Sequence, residues 1–179
     1  AVDGKGASVD GSRVTITAAG TYELSGSLTE GQIIVDTGDE ETVTLILNGV
    51  DISNSTSAPL YITDAEDVTI VLADGSTNRM ADGADYVFAS PDEDEPNAVL
   101  FSKADLTIGG SGALVVAGNY NDGIASKDGL TITGGDITVE AVDDGIRGKD
   151  YLVVEGGTLT VTAGGDGLKA DNEEDAALG

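Results

Sequence analysis

The sequence predicts an all-β fold, a parallel β-helix (solenoid) with coils of about 22 residues, and three observations lead there. The first is a fixed repeat. NDGIASKDG begins at Asn121, DDGIRGKDY at Asp143 and GDGLKADNE at Gly165, so their core aspartates Asp122, Asp144 and Asp166 recur every 22 residues. The second is alternation inside each repeat. Leu130 and Ile132, then Ile137 and Val139, are apolar at every other position, the period of a strand with one face on a core. The third is composition. Gly is abundant at 26 residues, Pro is rare at 3, and Thr and Val fill the runs between glycines, which describes short strands joined by tight turns. No helical periodicity runs longer than a turn.

Taken in order, residues 1–31 read as an irregular N-terminal cap. Arg13 to Thr17 alternates and Tyr22-Glu23-Leu24 follows, a start suited to shielding the open strand edges of the first coil. Val43-Thr44-Leu45 and Val68-Thr69-Ile70 read as early, diverged strands of the repeat. Residues 78–97, NRMADGADYVFASPDEDEPN, fit no coil and carry an acidic run, so they are expected to form an excursion loop. Residues 98–179 hold the regular coils of 22–24 residues. There Leu130 matches Leu152, Ile137 matches Leu159, Val139 matches Val161, and Gly134-Gly135 match Gly156-Gly157. Stacking such coils pairs each strand in parallel with the coil above and below and aligns the aliphatic residues in columns. An antiparallel sandwich is the rival, but hairpins would not preserve a repeated order of turns and charges. The whole of 1–179 is read as one domain, its last coil incomplete after Gly179.

Charge narrows the function. Asp and Glu number 33 against 8 Lys and Arg, a formal net charge of −25. That excess argues against nucleic acid or anionic lipid as partners. No apolar stretch reaches the ~18 residues of a membrane span, so no membrane insertion is expected. Ala1 does not open a signal peptide, which a matured exported chain would also lack. With no Cys and no His, thiol sites, zinc and copper are disfavoured. The remaining roles for the acids are solubility, adaptation to salt, and binding of hard cations.

In a solenoid, residues one coil apart stand about 4.8 Å apart. Asp122, Asp144 and Asp166 should therefore form a column of carboxylates that repel one another by about 1 kcal/mol in water and more where water is excluded. A calcium ion, binding oxygens at about 2.3–2.6 Å, spans that gap and turns repulsion into attraction. Asn121 and Asp143 precede two of the core acids, and Asp143-Asp144 could clamp one ion with Asp122. Asp171 and Asn172 could close a second ion between Asp144 and Asp166. Gly123, Gly145 and Gly167 would let backbone carbonyls approach. Plain turn chemistry explains Asp-Gly at each corner but leaves the doubled acid at Asp143 and Asp144 unexplained. Beside the acids runs a basic column: Lys127 with Lys149, and Arg147 with Lys169. These either offset the acids or hold an anionic sugar against bound calcium. Tyr120 and Tyr151 are the best placed rings for stacking on a sugar.

The stretches GTYELSGSLTEGQIIVDT, VTLILNGVDISNS, AVLFSKADLTIGGSGALVV, NYNDGIASKDGLTITGGDITVEA and DDGIRGKDYLVVEGGTLTVTAGGDGLKADNE resemble the bacterial carbohydrate-binding-domain proteins related to polysaccharide lyases. The resemblance implies an exported, cell-surface protein with a right-handed parallel β-helix that binds calcium and attaches to cellulose or polygalacturonate. Similar pectate lyases hold calcium with an aspartate from one coil, an adjacent pair from the next, and an acid three residues on, and use a lysine or arginine base. Asp122 and Asp143-Asp144 match the first two places. Arg147 stands at the third, a departure that counts against a lyase.

The expected function is calcium-dependent, non-catalytic binding of an acidic extracellular polysaccharide. Two alternatives stay open: a filament subunit that stacks head-to-tail through its open coil end, and a pectate-lyase-like enzyme whose base would be Lys149, Lys169 or Arg147.

Overall fold

The computed structural model describes residues 5–172, and every regular element within them is a β-strand. Alternating apolar residues place one side of each strand inside, and the coils wind through about six turns of roughly 24 residues. The last coils keep the 22-residue spacing, with Ile124 stacked on Ile146 and Ile146 on Leu168; the earlier ones are longer.

Three parallel ladders make the walls. The first runs through Gln32–Asp36, Leu60–Asp64, Ala98–Ser102, Asp122–Ser126, Ile146–Gly148 and Leu168–Ala170. Its inner column is Ile33, Leu60, Leu100, Ile124 and Ile146, all buried. The second passes through Asp67–Leu72, Asp105–Gly110, Gly129–Ile132 and Tyr151–Val154. Leu106, Leu130 and Leu152 stack there in the register the repeat predicts. The third passes through Thr77–Asp82, Ala113–Gly118, Asp136–Ala141 and Thr158–Ala163, with Ile137 on Leu159 and Val139 on Val161. Two long strands, Gly20–Thr29 and Val43–Asn54, belong to the second and third ladders at once. Val43–Asn54 pairs with Asp67–Leu72 through residues 43–47 and with Thr77–Asp82 through residues 51–54. Gly49 lies between the two halves with φ of 78°, a conformation that a side chain would strain.

At the N-terminal end, Ala7–Asp10 folds back antiparallel on Arg13–Ile16, which then pairs in parallel with Gln32–Asp36. The expected excursion of residues 78–97 is shorter than the sequence reading. Residues 78–82 belong to strand Thr77–Asp82, with Met80 in the core and Asn78 buried. Asn78 is polar yet satisfied: its Oδ1 accepts the N–H groups of Gly49 and Val50, and its amide donates to Ser76 Oγ and Ala113 O. A buried side-chain amide that bridges three segments reads as loop composition in a sequence. The excursion proper is residues 83–97, and it is tied to the first ladder. Val87 N–H donates to Thr56 O at 2.9 Å, and Tyr86 Oη, which donates to Asp82 Oδ2 at 2.8 Å, lies 3.2 Å from Ala98 O. Glu95 is held by Lys103 and Lys127. Strands Ala98–Ser102 and Asp122–Ser126 are buried at every position, with Ala58, Ala98, Phe101 and Ala125 forming a second apolar cluster beside Tyr61. Residues 173–179, on which the unfinished coil and head-to-tail stacking rest, lie outside the described residues.

The glycines after the first two core aspartates, Gly123 and Gly145, serve packing. A Cβ at Gly145 would lie 2.3 Å from Val161 Cγ1 and 2.6 Å from the carbonyl oxygen of Gly167. Gly145→Ala is expected to destabilise the fold by about 1–3 kcal/mol through overpacking, read as a lower urea midpoint at unchanged slope.

Candidate metal centre

The site grows from the start of strand Asp122–Ser126. Parallel stacking puts Asp144 one coil above Asp122, and the Asp122 side chain turns along the stack. Its Oδ1 accepts the backbone N–H of Asp144 at 3.1 Å and the Asn121 amide at 3.1 Å. Asp144 repeats the move, its Oδ1 accepting the N–H of Asp166 at 2.9 Å. The aspartate column is thus also a chain of side-chain acceptors, each satisfying the backbone of the next coil. This role, absent from the sequence reading, alone rewards an acid or amide at each step.

The second oxygens differ. Asp144 Oδ2 takes Lys169 Nζ at 2.8 Å. Asp122 Oδ2 is buried and accepts no hydrogen bond; the nearest cation is Arg147 Nη1 at 4.0 Å. A buried carboxylate oxygen left so is costly. Asp122, Asp143 and Asp144 bring one carboxylate oxygen each within 4.8 Å of one another, and among the described residues they are the one such group of three acids. Asp143 is exposed, so the cluster opens to solvent. An all-oxygen set with one unsatisfied buried member fits a hard divalent cation. Calcium suits it better than magnesium, because calcium accepts irregular oxygen sets completed by water.

Electrostatics agree with the geometry. Burial first, and then the charges of Asp144 and Asp143, push the Asp122 carboxyl up to about 6, against the opposing N–H of Asp144 and the charge of Arg147. Burial also pushes Asp144 up, but the Lys169 ammonium, the N–H of Asp166 and Arg147 outweigh it and hold Asp144 below the ordinary range. Since the folded Asp122 carboxyl binds its proton more tightly than an unfolded aspartate, its contribution to stability is intact below pH 3.8 and is lost as pH rises through about 6. In chelator, the urea midpoint of the wild type should fall between pH 4 and pH 7 relative to Asp122→Asn, by a free energy on the order of 1–2 kcal/mol after allowance for solvent at the rim.

The other expected ligands take separate places. Asp166 is exposed and outside the group of three. Asp171, expected to close a second ion, instead receives Arg147 through two bonds, Nε to Oδ1 at 3.0 Å and Nη2 to Oδ2 at 2.8 Å. Asn172 donates to Asp150 Oδ1 at 2.8 Å. Lys169 lies against Asp144 where the second ion was expected. The carbonyls of Gly145 and Gly167 accept the N–H groups of Ile124 and Ile146, so they are engaged in coil stacking.

The residues expected to contact carbohydrate fall into two groups. Arg147 and Lys169 flank the acids. Lys127 lies toward the excursion loop on Glu95, and Lys149 follows it one coil up, its N–H on Ser126 O. Tyr120 stacks on Tyr86 with centroids 4.2 Å apart and planes at 11°, while Tyr151 Oη donates to Asp105 Oδ1 at 3.3 Å. Sequence reasoning missed Tyr86 and Phe88 as partners of Tyr120; the ring-bearing segment YVF inside the loop was the available signal.

Comparison with known proteins follows the same lines. A protein from Acetivibrio thermocellus, described as a carbohydrate-binding domain-containing protein, is 48% identical over 136 residues, which are 76% of this chain and 48% of that protein. The chain therefore spans about half the length of the relative it matches. A solved structure described as the polysaccharide lyase-like protein from C. thermocellum, gadolinium derivative, superposes with a TM-score of 0.96 at 44% identity, covering 99% of this chain and 72% of that one. Residues 10–179 match the family described as carbohydrate-binding domain-containing protein, and the chain belongs to that family.

Proposed function

We propose that this chain is a non-catalytic module that binds acidic polysaccharide outside the cell through calcium held by Asp122, Asp143 and Asp144. The observation that carries the reading is Asp122 Oδ2, buried and without a hydrogen bond beside two further carboxylates. Family membership supports carbohydrate as the partner class.

The net charge of −25 decides how an acidic glycan could approach. Direct contact would be repulsive. Bound calcium would supply the positive charge that bridges protein and glycan carboxylates. Arg147 and Lys169 border the cluster and would face the same carboxylates. They are poor candidates for a catalytic base. The Lys169 bond to Asp144 holds its ammonium above the ordinary lysine range, and the Arg147 bond to Asp171 does the same for the guanidinium. A base for proton abstraction needs the opposite shift.

Affinity electrophoresis through polygalacturonate tests the proposal. Retardation in calcium that disappears in chelator is the expected result. Equal mobility with and without glycan, in calcium and in chelator, would reject it.

A further inference from the structure

The corner that carries the metal centre is built twice, and the two copies differ in one contact. Lys169 stands one coil above Arg147 in the register of the first ladder. Each follows the core aspartate of the coil below it by 25 residues, Lys169 after Asp144 and Arg147 after Asp122. In the upper copy the side-chain cation is seated, with Lys169 Nζ 2.8 Å from Asp144 Oδ2. Stacked coils of one backbone would seat Arg147 on Asp122 Oδ2 in the same way. It stops short: Nη1 lies 4.0 Å from that oxygen, and the oxygen, on a residue 1% exposed, accepts no hydrogen bond. Asp171 makes the difference. Its two oxygens take Arg147 Nε at 3.0 Å and Nη2 at 2.8 Å. Such a fork fixes the guanidinium plane as well as its place, and Nη1 is the nitrogen left facing Asp122. The two side chains are only 25% and 27% exposed, so water screens the fork less than it screens a surface pair.

We infer that Asp171 is a positioning residue: by holding Arg147 in the fork it keeps the guanidinium off Asp122 Oδ2 and leaves that oxygen to a divalent cation. The inference rests on the reading of Asp122, Asp143 and Asp144 as calcium ligands, and it adds the device that sets their affinity. Two cations compete for one oxygen. The tethered guanidinium carries a single charge and has to advance about 1 Å from its present contact to make a hydrogen bond. Calcium carries two charges and gathers all three carboxylates. With Asp171 in place, calcium meets an oxygen that no side chain has claimed. Without it, the guanidinium turns to the nearest buried carboxylate, as Lys169 does one coil up, and calcium has to displace it first.

The test uses the full chain, with calorimetric titration by calcium alone and urea unfolding in chelator at neutral pH. Asp171→Asn should weaken calcium about five- to tenfold. Adding Arg147→Met to Asp171→Asn should bring the dissociation constant back to within about twofold of the wild type. Were the first loss merely structural, a second substitution would deepen it. The metal-free readout is a change of sign between backgrounds. In chelator, Asp122→Asn is expected to leave the otherwise wild-type chain at least as stable. In the Asp171→Asn background it breaks the new pair with Arg147 and should lower the urea midpoint. Calcium affinity unchanged by Asp171→Asn overturns the inference. So does a weakening that Arg147→Met fails to repair, or an Asp122→Asn effect of the same sign in both backgrounds. A wild type that binds no calcium, while the sign still changes, would count against the metal-centre proposal and leave the positioning of Arg147 by Asp171 standing.

Discussion

Asp122→Asn should move stability in opposite directions depending on calcium. In chelator at neutral pH the variant is expected to be at least as stable as the wild type. The amide keeps an oxygen to accept the N–H of Asp144, replacing the 3.1 Å bond of the wild type. It removes a charge that burial holds in an unfavourable state, as the carboxyl pKa of about 6 records. Arg147 loses only a 4.0 Å contact and keeps its two bonds to Asp171. In calcium the order reverses. A cation at one hundred times its dissociation constant stabilises the folded wild type by about 2.7 kcal/mol. Loss of one of three carboxylates should weaken calcium at least about tenfold, so the variant's gain at the same concentration falls to about 1.4 kcal/mol or less. Urea unfolding of both proteins, with and without calcium, reads all four values. A calcium gain in Asp122→Asn equal to that of the wild type would remove Asp122 from the metal centre.

Ile124→Ala should be the most damaging of the substitutions considered. Ile124 is fully buried, stacked between Leu100 below and Ile146 above, both fully buried themselves. Neighbouring coils are fixed by backbone bonds on both sides, including Ile124 N–H to Gly145 O at 3.0 Å. They have little freedom to collapse into the space left. The expected cost is about 3–5 kcal/mol, near the upper end for such truncations. Val87→Ala on the excursion loop is the control. Val87 is 73% exposed, and its truncation should cost less than about 0.5 kcal/mol. Comparable losses for the two would mean that the inner columns do not form the stabilising core.

The columns were legible because a solenoid transcribes its own spacing into sequence. Leu130 over Leu106, Leu152 over Leu130 and Val161 over Val139 follow from the repeat and pair so in the structure. The acid triad was legible for the same reason, since Asp122 and Asp144 occupy one column. Side-chain direction was not legible. Nothing in the spacing tells that the Asp122 Oδ1 accepts the Asp144 N–H, or that Arg147 reaches Asp171 in preference to the acids nearer to it in sequence. Such choices depend on rotamers and on competition among neighbouring charges. The strand at residues 78–82 was hidden because a buried Asn78 and a buried Asp82 break the apolar alternation. The excursion loop conceals its contacts for another reason: pairings such as Tyr86 with Tyr120 cross coils without any period.

Strand Val43–Asn54 joins two walls of the coil, turning a corner at Gly49 without leaving the hydrogen-bonded sheet. Gly20–Thr29 beside it rounds the same corner, whereas from Asp67 onward the two walls are made of separate strands; here the corner is a continuous rib. Neighbouring coils therefore cannot shear past one another at this level without breaking both walls together. Under tension or in hydrogen-exchange experiments, amides flanking the rib should be the last to open, making it the anchor from which the rest of the stack is suspended.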